Sequence, residues 1–99
     1  MEYNFSPDGS QVSLAGQLTF PDHPSFRALS RKLLEGKGSS VVIDLSKLDF
    51  IDSAGLGMLL IVRDDAKTGG RSLVLRAPHG QVKKMFDVSK FETLFNIQA

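Results

Sequence analysis

Cysteine is absent from the 99 residues of this chain. Disulfides, zinc–thiolate sites and thiol chemistry are therefore excluded. Histidine is scarce: His23 and His79 lie 56 positions apart in unrelated surroundings, and no histidine-based metal site is expected. A surplus of one charge is missing as well. Twelve Lys and Arg face eleven Asp and Glu, a formal net charge of +1. That balance gives no electrostatic case for direct nucleic-acid binding or for an anionic membrane. Long apolar runs are also lacking. The longest, Met58 to Val62, falls far short of the ~20 residues that cross a bilayer, so no membrane insertion is expected. The segment Met1-Glu2-Tyr3-Asn4-Phe5 has no basic region followed by an apolar stretch and does not read as a signal peptide. Cytoplasmic location is the expectation. No internal repeat, low-complexity tract or domain linker interrupts the chain.

What is present fits one domain over residues 1–99. Apolar residues at 41% supply one modest core, but neither a second domain nor a deep cofactor cavity. Tyr3-Asn4-Phe5 and Val12 to Leu18 alternate around a Pro7-Asp8-Gly9 turn, which predicts a β-hairpin. Phe20-Pro21-Asp22-His23-Pro24 reads as a loop. Ser25 to Glu35 follows as a helix, with Phe26, Leu29 and Leu33 on one face and Asp22, His23 or Ser25 as its cap. Val41 to Leu45 is a continuous, mostly β-branched strand. Ser46 to Asp52 reads as a loop whose Leu48, Phe50 and Ile51 dip toward the core.

Ala54 to Thr68 is predicted helical, because Arg63 to Lys67 continue the helical phase and Gly69-Gly70 stops it. Ser72 to Leu75 is the next strand, Gln81 to Asp87 a short helix, and Thr93 to Ile97 a last strand. The order β-β-α-β-α-β-α-β implies an α/β domain. Its mixed sheet of about five strands would be covered by about three to four helices.

Most of the information lies between Asp44 and Gly57. Ser53 stands where a helix begins, and either Asp52 or Ser53 would cap its free N–H groups. By itself, such a serine is simply a cap. Gly55 and Gly57, however, fall in the first turn, where glycine is disfavoured unless something approaches the backbone closely. For Gly55 the close neighbour is expected to be the chain's own sheet; for Gly57, an outside partner. On a helical wheel Ser53, Leu56, Gly57, Leu60, Arg63, Asp64 and Lys67 share one face, and the charged members predict that it meets solvent. Leu56 and Leu60 would then be exposed apolar residues beside an available hydroxyl, a docking patch. The opposite face, Gly55, Met58, Leu59, Val62 and Ala66, reads as core.

Catalysis is not expected. A hydrolase elbow needs glycine two residues before and after its serine, and Ile51 stands before this one. No Gly-Lys-Ser/Thr run offers a phosphate loop. Asp44, Asp49 and Asp52 are explained as loop or capping carboxylates, and no bound cofactor is expected. A phosphate on Ser53 would add about −1.5 to −2 charge units, which a helix N-terminus tolerates. A partner docked beside it would not tolerate it.

These residues closely resemble the STAS family, the domain shared by anti-sigma factor antagonists and the tails of sulfate transporters. Val42-Ile43-Asp44-Leu45-Ser46 with Phe50-Ile51-Asp52-Ser53-Ala54-Gly55-Leu56-Gly57 is similar to the family's strand, loop and phosphorylation site. Gly69-Gly70 with Leu73-Val74-Leu75, Val82 to Phe86 with Leu94-Phe95, and Gly16-Gln17-Leu18 extend the likeness over nearly the whole chain. The resemblance implies a bacterial anti-anti-sigma factor that regulates transcription by partner switching. Its partners would be a serine-kinase anti-sigma factor, which phosphorylates Ser53 with ATP, and a PP2C-type phosphatase; no oligomeric state is assigned. Partner contact is expected from Asp22, Asp52, Ser53, Ala54, Leu56, Gly57, Leu60, Arg63 and Asp64. Gln17 departs from the family's acidic residue, and two prolines sit in the contact loop Thr19 to Pro24. An accessory subunit of a membrane transporter ATPase, indifferent to phosphorylation, is the alternative, with a small-ligand or nucleotide-binding module third.

Overall fold

The computed structural model describes residues 1–36 and 38–99. Two strands open it, β1 (Glu2–Phe5) and β2 (Gln11–Leu18), paired antiparallel. Their turn is gathered by one carboxylate: Asp8 Oδ1 accepts from Ser6 Oγ at 2.7 Å, Ser10 N at 3.1 Å and Ser10 Oγ at 2.9 Å. A 3-10 turn (Phe20–Asp22) leads into α1 (His23–Glu35). Then come β3 (Ser40–Ile51), α2 (Ser53–Thr68), β4 (Ser72–Arg76) and α3 (Gly80–Val88). A second 3-10 turn (Phe91–Thr93) and β5 (Asn96–Gln98) complete the chain. The strands lie in the order β1-β2-β3-β4-β5, and every pair after the first is parallel. The mixed five-stranded sheet and the element order are those predicted.

Side chains alternate across the sheet. Val12, Leu14, Val41, Ile43, Leu45, Leu73 and Leu75 are buried in one cluster with Phe26, Leu29 and Leu33 of α1, Leu59 and Val62 of α2, and Val82 and Phe86 of α3. The intervening positions Ser13, Asp44 and Arg76 are half-buried on the other face. There Asp44 Oδ2 pairs with Arg76 Nη2 at 3.1 Å, and Oδ1 accepts from Ser46 N at 2.9 Å. Burial alone would push the Asp44 carboxyl up, but the Ser46 N–H and the Arg76 guanidinium outweigh it and hold it below the ordinary carboxylate value.

The segment from Ser46, expected as a loop, is the second half of β3. Its pairing with β2 explains the mismatch. Ser13 pairs with Asp44 and Ala15 with Lys47; Gly16 pairs with Leu48 and Gln17 with Phe50. Each step leaves one surplus residue on β3, a bulge that bends the strand and shifts its side-chain phase. The buried positions therefore run Val41, Ile43, Leu45, Leu48, Ile51 rather than in strict alternation. Leu48 and Ile51 enter the core as expected, whereas Phe50 stays 38% exposed.

The C-terminal strand also starts later than predicted. Phe86, Phe91 and Phe95 stack in sequence, with centroids 5.0 and 4.8 Å apart. Bringing Phe91 and Phe95 onto one side takes a helical turn, so pairing resumes only at Asn96.

β4 pairs with β3 only from Ser40 to Asp44. Farther along, α3 supplies the missing partner to Ile51. Gln81 Oε1 accepts from Ile51 N, and Gln81 Nε2 donates to Ile51 O, both at 2.9 Å. Gln81→Ala removes both partners and is expected to destabilise the domain by about 1–3 kcal/mol in urea unfolding.

Acid sensitivity follows from the lowered carboxylates. Asp44 is charged at lower pH in the folded chain than in the unfolded one, so its stabilisation is complete above its unfolded value of about 3.9 and is lost as pH falls through the folded value. Melting temperature is expected to hold from neutral pH to about 4 and then fall. Asp44→Asn should lower it at neutral pH and flatten the acid decline.

Candidate functional site

The site forms where two neighbouring parallel strands end. Leu18 closes β2 beside Ile51, which closes β3, and Asp52 N donates to Leu18 O at 3.3 Å. From these ends the chain leaves as the Phe20–Asp22 turn on one side and α2 on the other.

Asp52 joins the two exits. It is the N-cap of α2, and its Oδ1 accepts from Gly55 N at 2.8 Å. Its other oxygen, Oδ2, accepts from Phe20 N at 3.1 Å. The alternatives for the cap are thus resolved in favour of Asp52. Ser53 is the first residue of α2 and exposed, and among the described residues its hydroxyl makes no hydrogen bond to the protein.

Gly55 is where α2 touches the sheet. A Cβ there would strike the carbonyl oxygen of Leu18 and Ile51 Cγ1. Gly57 differs: a Cβ there would meet nothing within 4 Å. Its bare backbone faces outward, the direction expected for an outside neighbour.

The other predicted contact residues divide. Asp64 is exposed beside Arg63, with Nη2 to Oδ1 at 2.9 Å. Arg63 is half-buried and lies along the surface, donating to Leu94 O at 3.1 Å and lying over the Phe95 ring. Asp22 faces inward. Its Oδ2 accepts from Thr19 N at 2.8 Å, and its Oδ1 pairs with the Met1 ammonium at 3.1 Å. Burial opposes ionisation of Asp22, but these donors prevail and lower its pKa. Ala54 and Leu60 are partly buried against the core.

Leu56 is a correction. It was expected on an exposed face and is buried, at 8% exposure. Of the three charged residues taken as markers of solvent, Asp64 and Lys67 are exposed but Arg63 is half-buried, with its guanidinium on Leu94 O, and Leu56 joins the core cluster. The exposed ridge runs instead through Ser53, Gly57, Ile61 and Asp64. Ile61, 57% exposed, and Phe20, 73% exposed, are the apolar residues that the sequence reading missed. Ile61 was findable as the residue four beyond Gly57. Phe20 has no periodic signal, since it sits in a turn.

Comparison with known proteins places this arrangement. Residues 1–97 match the family described as Mlab, STAS domain. The chain belongs to the STAS family. A STAS-domain containing protein of Pseudomonas aeruginosa (strain UCBPP-PA14) is 34% identical over 95 residues, which cover 93% of this chain and 92% of that one. Two solved structures share the fold. The anti-sigma factor antagonist SpoIIAA in its unphosphorylated form has a TM-score of 0.72 at 18% identity, over 99% of this chain and 86% of that one. A sulfate transporter family protein from Wolinella succinogenes has a TM-score of 0.75 at 14% identity, over 96% of this chain and 80% of that one.

Among the described residues of this STAS domain, no group of His, Cys, Asp and Glu is placed to hold a metal, and no helix is long and apolar enough to cross a membrane.

The two glycines make opposite predictions. Gly55→Ala forces a methyl group into the sheet ends and should lose about 1–3 kcal/mol of stability. Gly57→Ala meets open space and should gain up to about 1 kcal/mol from helix propensity. Urea unfolding of both variants measures the contrast.

Proposed function

We propose that this STAS domain is a phospho-regulated anti-sigma factor antagonist. Unphosphorylated, it binds a serine-kinase anti-sigma factor through the face around Ser53. The kinase transfers the γ-phosphoryl group of ATP to Ser53 Oγ and ends the complex. A PP2C-type phosphatase hydrolyses the phosphoserine and restores it. The chain is a substrate and a binding module with no catalysis of its own.

The observation that carries this reading is the division of labour between Asp52 and Ser53. The carboxylate caps α2, so the neighbouring hydroxyl is exposed and uncommitted at the first helical position. A serine spent on capping would have to leave the helix end to be phosphorylated. A phosphate on Ser53 sits at the positive end of a 16-residue helix, which favours its charge. It also sits beside the Asp52 carboxylate, so a partner closing over the Gly57 and Ile61 ridge would bury like charges together. The unphosphorylated state given for SpoIIAA, a protein of the same fold, agrees with a domain that exists in two phosphorylation states.

A second reading follows from the likeness to a sulfate transporter family protein. In this reading the present chain docks by the same face on a transporter ATPase without regard to phosphorylation.

Incubation with the serine-kinase anti-sigma factor and ATP, followed by mass spectrometry, is expected to place one phosphate on Ser53. Ser53→Ala should remain unmodified. Ser53→Asp should abolish kinase binding while changing stability by no more than about 1 kcal/mol. Phosphorylation elsewhere, or unchanged binding by Ser53→Asp, would sink the proposal. Binding of a transporter ATPase equally by wild type and both variants would select the second reading.

A further inference from the structure

Beside the ridge of α2 lies a groove between α1 and α2. Its first section, about 420 Å³, is lined by His23, Phe26, Arg27, Met58 and Ile61 among others. A second section, about 340 Å³, continues along the same two helices past Arg31 and shares Arg27, Ser30 and Asp65 with the first. The exposed Ile61 stands on one bank. Phe20 stands at the head of α1, and its backbone is held rigidly by Asp52 below and by His23 N, which donates to Phe20 O.

We infer that this groove receives an amphipathic helix of the partner protein, with an apolar stripe against Phe20, Met58 and Ile61 and carboxylates along the flank that meets α1. The inference rests on the reading of the Ser53 face as partner-facing. Three observations select the occupant. Both banks are α-helices whose backbone groups are engaged within their own turns, so an extended strand would find no ladder to join. α1 has 13 residues, a length of about 20 Å, which matches three to four turns of a docked helix. Charge is distributed unevenly along the groove: Arg27 and Arg31 line the α1 bank, Glu35 stands at its far end and Asp65 on the α2 bank, none with an ion-pair partner among the described residues. An incoming helix with acidic residues against Arg27 and Arg31, and cations toward Asp65 and the far end at Glu35, satisfies all four groups. Ser53 lies at the head of this groove and outside its lining, so phosphate there acts on the rim of the contact.

Other exposed apolar residues lack this setting. Phe20 lines neither section itself but precedes by three residues His23, which lines the first; Val88, 75% exposed, is on α3, which contributes nothing to either section, and this makes it the control.

The absence of cysteine makes the test direct. Ile61→Cys and Val88→Cys, each carrying a thiol-reactive photocrosslinker, are exposed to the partner that the wild-type chain captures from its native cells, and the crosslinked segment is identified by mass spectrometry. The purified partner is then titrated with wild type, Phe20→Ala, Arg27→Glu and Val88→Asp, each checked for folding by circular dichroism. Position 61 is expected to crosslink to a helix carrying acidic residues along one flank, and position 88 to nothing. Phe20→Ala and Arg27→Glu should weaken binding by roughly tenfold or more, and Val88→Asp by less than about twofold.

A crosslink to a strand or loop, equal capture at position 88, insensitivity to Phe20→Ala and Arg27→Glu, or no captured partner would overturn the inference. A helical crosslink to a protein that is not a kinase would support the groove and reject the anti-sigma reading. A kinase that phosphorylates Ser53 yet is indifferent to the groove variants would do the reverse.

Discussion

The close approach of Gly55 to the carbonyl of Leu18 fixes everything around Ser53. That contact seats the first turn of α2 on the paired ends of β2 and β3. Once the helix is seated, its direction, its buried arc and its exposed ridge follow. Asp52 then completes the junction from the other side. One carboxylate accepts from Gly55 N within the helix and from Phe20 N in the turn that starts α1. Two segments that are 32 residues apart in sequence are tied at one side chain.

This arrangement separates structural from chemical duty at adjacent positions. The negative group that the helix end calls for is supplied by Asp52. Ser53 inherits the favourable field of the helix end without being needed to hold it. Its charge state can therefore change while the cap, the glycine contact and the sheet ends stay in place. What the change does reach is the surface formed by Gly57, Ile61 and Phe20.

Much of this was legible in the chain. Glycine in a first turn announced close approach, and the contrast between Gly55 and Gly57 was readable from the phase of the helix. The strand–helix alternation gave the sheet, and the run from Val42 to Gly57 gave the family resemblance. Two parts were not legible, each for a physical reason. Ser46 to Ile51 hid as a loop because two bulges break the period of two on which strand recognition depends. Leu56 was assigned to solvent because Arg63, Asp64 and Lys67 were taken together as surface markers, and of these Arg63 is half-buried. A long guanidinium side chain can lie along apolar surface and bond a distant carbonyl, here that of Leu94. Phe20 and Ile61 then took the place given to Leu56 on the exposed patch.

The two bulges let the strand hold more residues than its partner without changing what it delivers. Between Gln11 and Leu18, eight residues of β2 face ten of β3, from Val42 to Ile51. Each surplus residue stands outside the pairing, so the residues beyond it keep their β2 partners and their faces whether or not it is there. Loss of either one would restore strict alternation locally and cost the bend, with Ile51 still inward beside Leu18 and Asp52 still at both exits. The start of the switch helix is thus set by which residues of β3 are paired, not by how many the strand contains.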